Sequence, residues 1–248
     1  LDIDMDTIVV WFSCGAASAI AAKKTIEYYG KTHNVLCVNN PVIEEHEDNR
    51  RFLKSVEEYI QHPIVEARNP DFPNASIMEV FDKRKYMSGI SGAPCTMELK
   101  RKARYHFELN HNIDFHVLGF TLDEWRRQKN FNEHERANTI PVLISNLVTK
   151  DDCFKKLRRD NIRQPEIYNM GFPNANCIGC VKATSPSYWN LVRNQFPEVF
   201  QQRAEQSRRI GAKLVRLQGK RIFLDELKPT DKGGFIKSWE CGIFCDTK

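Results

Sequence analysis

Residues 7–18 read T-I-V-V-W-F-S-C-G-A-A-S, and the reading of this stretch decides the fold. Its first half, TIVVWF, is a continuous apolar run of strand length, bounded by Asp6 and by a stretch of small residues. A strand buried on both faces reads as such a run, whereas a strand with one wet face alternates. Residues 18–29 then carry helical character as far as Gly30. A buried strand that enters a helix through a short loop of small residues opens a parallel α/β sheet.

The loop consists of Ser13, Cys14, Gly15, Ala16, Ala17 and Ser18. Small side chains let backbone N–H groups approach phosphate oxygens, and the helix N-terminus adds its partial positive charge. Ser13 and Ser18 add hydroxyl donors. The loop lacks the G-K-[ST] ending of a Walker loop and has one glycine where a dinucleotide fingerprint has three.

Outward from the loop, residues 34–38 read as a second buried strand. Over 48–60, Phe52, Leu53, Val56, Tyr59 and Ile60 fall at helical spacing. Residues 64–67 predict a short third strand, 96–109 a helix, 115–120 another strand and 140–143 a short fifth one. This alternation predicts a Rossmann-like parallel sheet flanked by helices, with right-handed crossovers. Ligands of such sheets bind beyond the carboxyl ends of the strands, which directs attention to residues 13–18, 39–46, 68–72 and 119–127. After Thr149 helical segments at 151–160, 187–193 and 197–211 surround a cysteine pair, and 214–217 with 221–224 predict a hairpin through Gly219. The expected organisation is a nucleotide-binding α/β domain over residues 5–149 and a small cysteine-containing subdomain over 150–248.

The chain has 248 residues, 41% of them hydrophobic, enough for a substantial core. No run approaches the 18 or more apolar residues of a membrane span, and no secretory leader is visible, so a cytoplasmic protein without a membrane partner is expected. Met5 reads as the natural start. The net charge of +5 suits either an ordinary basic surface or an anionic ligand. The basic clusters at 126–127 and 155–159 are sparser than those of most nucleic-acid-binding proteins.

Eight cysteines, at 14, 37, 95, 153, 177, 180, 241 and 245, are many for such a chain. In a reducing compartment they serve as metal ligands, redox groups or core residues more often than as disulfides. Cys37 falls in a strand and Cys153 in a helix, as core residues would. Cys177 and Cys180 form a CxxC 82 residues after Cys95, and Cys241 and Cys245 close the chain. Such a set suits an iron–sulfur cluster, zinc or a metal-free dithiol.

Ser13, Gly15 and Ser18 match the S-G-G-x-D-S PP-loop of ATP pyrophosphatases and of the phosphoadenosine phosphosulfate (PAPS) reductase family, which this chain resembles. Cys14 replaces a glycine and Ala17 the aspartate of the ATP-cleaving branch, which weighs against pyrophosphate release. Asn39 and Asn40, followed by Glu45, His46, Asp48, Asn49, Arg51 and Phe52, are similar to the family's D-T-G and P-E-T-x-x-F segment, which faces adenine and ribose. A buried amide in place of the aspartate still donates to and accepts from a base edge. Gly119, followed by Glu124, Arg126 and Arg127, resembles the family's Gly-x-x-x-x-Glu/Asp-x-x-R turn, and an arginine fork suits phosphate or sulfate.

The cluster-bearing sulfonucleotide reductases carry a Cys-Cys pair, then a CxxC some eighty residues later, and together these hold a 4Fe–4S cluster. Here Pro94 stands in the first position of the pair. Residues 240–243, E-C-G-I, match the reductases' C-terminal motif, whose cysteine attacks the sulfur of the nucleotide. The resemblance implies an adenine nucleotide alpha-hydrolase-like fold, Cys241 as nucleophile, and Cys95, Cys177, Cys180 and Cys245 as ligands. Zinc, no metal, and exchanged roles for Cys241 and Cys245 stay open. It implies thiol- or cluster-dependent chemistry on an adenylylated sulfur compound, an adenine nucleotide as ligand and a thiol reductant protein as partner. Two alternatives remain: an ATP-dependent sulfurtransferase acting on tRNA or DNA, and a nucleotide-binding regulator without turnover.

Overall fold

Strand β1 (Thr7–Phe12) is buried at every residue, as its unbroken apolar run requires. In this computed structural model, which describes residues 5–89 and 92–234, β1 pairs in parallel with β2 (Asn34–Asn39) on one side and β4 (Phe115–Val117) on the other. Beyond β2 lies β3 (Ile64–Glu66), also parallel, so the sheet runs β3-β2-β1-β4. The chain steps outward from β1 through β2 to β3, then returns to the far side of β1. Strand order therefore reverses between β1 and β4, and the crevice beyond their carboxyl ends is the topological switch point.

In chain order the helices are α1 (Ala16–Tyr29), α2 (Asp48–Ile60), α3 (Ile77–Arg84), α4 (Lys102–Glu108), α5 (Trp125–His134), α6 (Val142–Ser145), α7 (Lys150–Arg159), α8 (Glu166–Asn169), α9 (Pro186–Gln195) and α10 (Pro197–Ile210). A π-helix, Thr96–Arg101, precedes α4. The described residues form two units. The first takes residues 5–41, 47–68 and 103–169 and contains the four-stranded sheet. Ile8, Val10 and Phe12 of β1 pack there with Ala19, Ile20 and Ala22 of α1, Phe52 and Val56 of α2, and Leu157 of α7. The second takes 42–46, 69–102 and 170–234 and is built from α3, the π-helix, α9, α10 and a hairpin. The sequence suggested one boundary at residue 149; here residues 150–169, with α7 and α8, stay with the first unit, and the second gathers the excursions that follow β2 and β3.

The hairpin joins β5 (Val215–Leu217) to β6 (Lys220–Ile222). Gln218 and Gly219 both have positive φ, 49° and 80°, which the tight turn between right-twisted strands favours. Residues 140–143, expected as a strand, do not form one. A single bridge joins Thr139 to His116, and after Pro141 the chain turns into α6, burying Val142 and Leu143 in the core of the first unit. Proline lacks the N–H a ladder needs, and its fixed φ suits a helix start. Among the described residues no helix is long and apolar enough to cross a membrane.

Candidate functional site

The loop after β1 is organised by one hydroxyl. Ser18 Oγ accepts from the backbone N–H groups of Ser13 (3.2 Å) and Gly15 (3.3 Å) and from Ser13 Oγ (3.2 Å), and donates to the Gly15 carbonyl (3.0 Å). Ser18 is the third residue of α1, and its bond to the Gly15 N–H is the return half of a capping box. The first turn of α1 carries no acidic side chain to oppose an anion. Cys14 sits in the left-handed region (φ 55°) with its side chain in the core.

Gly119 follows β4 and borders this loop. A Cβ on it would stand 2.8 Å from the Ser18 backbone nitrogen, so glycine is required for the close approach across the switch point. Gly15, by contrast, has room: a Cβ there would lie 3.4 Å from Tyr168 Oη and 3.8 Å from Ser13 Oγ. Tyr168 on α8 thus brings a hydroxyl beside the loop. No motif pointed to it, because it arrives from a four-residue helix far along the chain.

At the end of β2, Asn39 donates through Nδ2 to the Phe12 carbonyl (2.8 Å) and towards Cys14 Sγ (3.6 Å). Asn40 donates to the Ala67 carbonyl (3.0 Å). Both amides fasten neighbouring strand ends to one another. The expected arginine fork divides. Arg127 pairs with Glu124 and lies over the Phe120 ring, while exposed Arg126 lies over Trp125, itself half-exposed. Glu124 in turn accepts from the Thr121 N–H and hydroxyl at 3.4 Å, closing the turn after β4. In the first unit the structure therefore brings together residues 13–18, Asn39 and Gly119. Glu45 belongs to the second unit, where Lys100 approaches it at 3.4 Å.

The CxxC is held at both ends of its loop. Ile178 N–H donates to the Glu44 carbonyl (2.9 Å), Cys180 N–H to Tyr188 Oη (3.0 Å), and the Ala183 N–H to the Cys180 carbonyl (3.0 Å). Gly179 has φ 67°, with Val199 and Trp189 against it, so a side chain there would be strained. Cys177 and Cys180 are buried and Cys95, at the entrance to the π-helix, is half-buried. Cys177, Cys95 and Cys180 all act electrostatically on the buried Arg203 guanidinium. Their sulfur donors suit a thiophilic metal in kind. Among the described residues, however, no three His, Cys, Asp or Glu side chains are grouped to hold an ion. Cys241 and Cys245 lie outside the described residues. Cys37 and Cys153 are core thiols, each pushed up to about 12 by burial and so far from a reactive thiolate.

No family model and no curated protein matches this chain. Solved structures similar to it include a phosphoadenylyl-sulfate (PAPS) reductase from Candida auris in its phosphate complex, at 9% identity and TM-score 0.45, over 66% of this chain and 78% of that one. They also include the U34-tRNA thiolase NcsA from Methanococcus maripaludis with its 4Fe–4S cluster, at 12% identity and TM-score 0.47, over 85% of this chain and 71% of that one. The chain's own geometry establishes a four-stranded parallel α/β sheet with a small-residue loop at its switch point.

Proposed function

We propose that this protein is a PAPS reductase-like enzyme that binds an adenine nucleotide at residues 13–18 and carries out thiol-dependent chemistry on an adenylylated sulfur compound. One observation supports this reading above the others. The loop whose amides Ser18 gathers stands at the switch point, with the Gly119 backbone against it. That is where an open parallel sheet binds phosphorylated ligands. The α1 N-terminus and the loop amides that Ser18 does not take hold the nucleotide phosphate, and Arg126, with Arg127 once it leaves Glu124, meets the sulfo group.

The Cys241 thiolate then attacks the sulfo sulfur. A sulfur–sulfur bond forms, the sulfur–oxygen bond to phosphate breaks, and the nucleotide leaves with the electron pair as a phosphate anion. The sulfo group stays on Cys241 until a thiol of a reductant attacks the cysteine sulfur, releasing sulfite and leaving a disulfide. Cys95, Cys177, Cys180 and Cys245 are the residues that would hold a metal or 4Fe–4S cluster. When bound, such a group supplies positive charge or an electron reservoir beside the thiols.

Anaerobic incubation with adenosine 5′-phosphosulfate or its 3′-phosphorylated form, plus a dithiol, tests the reading. Sulfite and the nucleotide should appear in equal amounts, and Cys241→Ser should yield neither. Pyrophosphate and AMP released from ATP only when tRNA or DNA is present would instead identify a sulfurtransferase. Tight nucleotide binding with no product from any of these substrates would identify a regulator.

A further inference from the structure

The second unit contains a cavity of about 260 Å³ lined by Ile43, Glu44, Glu45, Met78, Val199, Arg203, the exposed Gln202 and Ile178 of the CxxC loop. Arg203 is 1% exposed. Its Nη1 donates to Gln206 Oε1 (2.6 Å) and towards Met78 Sδ (3.2 Å), and its guanidinium lies over the Phe81 ring. Its Nε has no hydrogen-bond partner among the described residues. A buried guanidinium N–H without an acceptor is costly, because desolvation is not repaid. Glu44 is the carboxylate that acts most strongly on Arg203, yet its oxygens accept from Ser76 Oγ (2.6 Å) and from the Ile77 N–H (3.0 Å) at the start of α3. The cation is therefore fixed in place with a donor left over.

The lining selects the ligand. A plain anion would satisfy Arg203 but would sit against Glu44 and Glu45. A plain cation would suit those carboxylates but would meet Arg203, with Lys100 close to Glu45. A zwitterion satisfies both signs. Ile43, Met78, Ile178 and Val199 supply apolar walls for an aliphatic side chain. The volume lies below the roughly 300 Å³ at which drug-sized pockets begin, which suits a single small amino acid and is tight for a nucleotide. We infer that this cavity is a second ligand site, for a small aliphatic α-amino acid, with its carboxylate on Arg203 and its ammonium towards Glu44 and Glu45. The inference stands on the second unit alone and is independent of the nucleotide reading.

Calorimetric titration of the full-length protein with L-valine tests it, using isobutylamine and isovalerate as the same molecule without carboxylate and without ammonium. L-Valine should bind one per chain at millimolar concentration or below, and each truncated form about tenfold or more weakly, the loss expected for one charge-assisted hydrogen bond. Arg203→Met should abolish binding. Because that variant removes a core side chain, Gln202→Trp, at the exposed residue of the lining, provides the second test, blocking entry with an unchanged melting temperature. No binding of L-valine, equal binding of all three probes, or full affinity in folded Gln202→Trp would each overturn the inference.

Discussion

Ser18 carries more of the candidate site than any other single residue. Its hydroxyl makes four hydrogen bonds within the loop and is buried. Ser18→Ala leaves the Gly15 N–H without its cap and releases Ser13, so nucleotide affinity should fall by about 1–2 kcal/mol in calorimetry, with a smaller loss of stability. Unchanged affinity would mean that the loop keeps its shape without the hydroxyl. The place of the loop was legible in the sequence because an unbroken apolar run followed by small residues marks a buried strand turning into a helix. Tyr168 was not, since nothing local to a four-residue helix says which loop its hydroxyl will meet. Nor was the pairing of Arg127 with Glu124, which separates two arginines that look alike in sequence.

At the scale of elements, the seam between β1 and β4 contains a titratable group. Trp11 Nε1–H donates to His116 Nδ1 at 3.2 Å, which places the ring proton of the neutral imidazole on Nε2. Burial, aided by Arg136 and Arg104, brings His116 down to about 4. The folded state therefore refuses a proton that the unfolded chain accepts near pH 6.5. The stabilisation is complete above pH 6.5 and is lost as pH falls to about 4, by at most about 3 kcal/mol. Urea unfolding at a series of pH values should show this loss in the native protein, and His116→Gln, which keeps an acceptor for Trp11, should flatten it between pH 6.5 and 4. An unaltered slope in that variant would assign the acid sensitivity to other groups.

Elements were readable in proportion to how local their signals are. The helix over 48–60 coincides with α2 because five apolar residues share one face. The strand expected at 140–143 failed because an apolar run of four fits a strand or a buried helical turn equally, and Pro141 decides for the turn. Helix α3 escaped notice although its start carries a recognisable signal: Ser76 is followed three residues later by Glu79, and the Ser76 side chain accepts the Glu79 N–H.

At the scale of the whole molecule, the two units differ in how far sequence reaches them. The first is a repeating alternation whose period can be read off the chain. The second gathers the excursions after β2 and β3 with the later part of the chain, and its CxxC loop is tied by the Ile178 N–H to the Glu44 carbonyl, a contact far back along the chain that no local pattern announces. Its cysteines carry a prediction of their own. If Cys95, Cys177, Cys180 and Cys245 share a metal or cluster, serine at any of them should release it and lower the melting temperature, because metal binding there is folding energy. Cys241→Ser should keep the metal and lose turnover, since an alcohol is a poor nucleophile towards sulfur. Metal content per chain separates the two classes; full content in all five variants would put the metal on other residues, and none in the native protein would make the cysteines a metal-free thiol set.

The central claim, that an adenine nucleotide binds the loop at the sheet's switch point, is tested most directly by titrating AMP into the native protein and into Gly15→Val. The nearest side chains leave contact space for a Cβ at Gly15, so the backbone accepts a side chain there, and circular dichroism with the melting temperature verifies that the variant is folded. The added branches then occupy the space where a phosphate would meet the loop amides. The account predicts that the native protein binds AMP and that folded Gly15→Val binds it at least about tenfold more weakly. Equal affinity in the two proteins would contradict it.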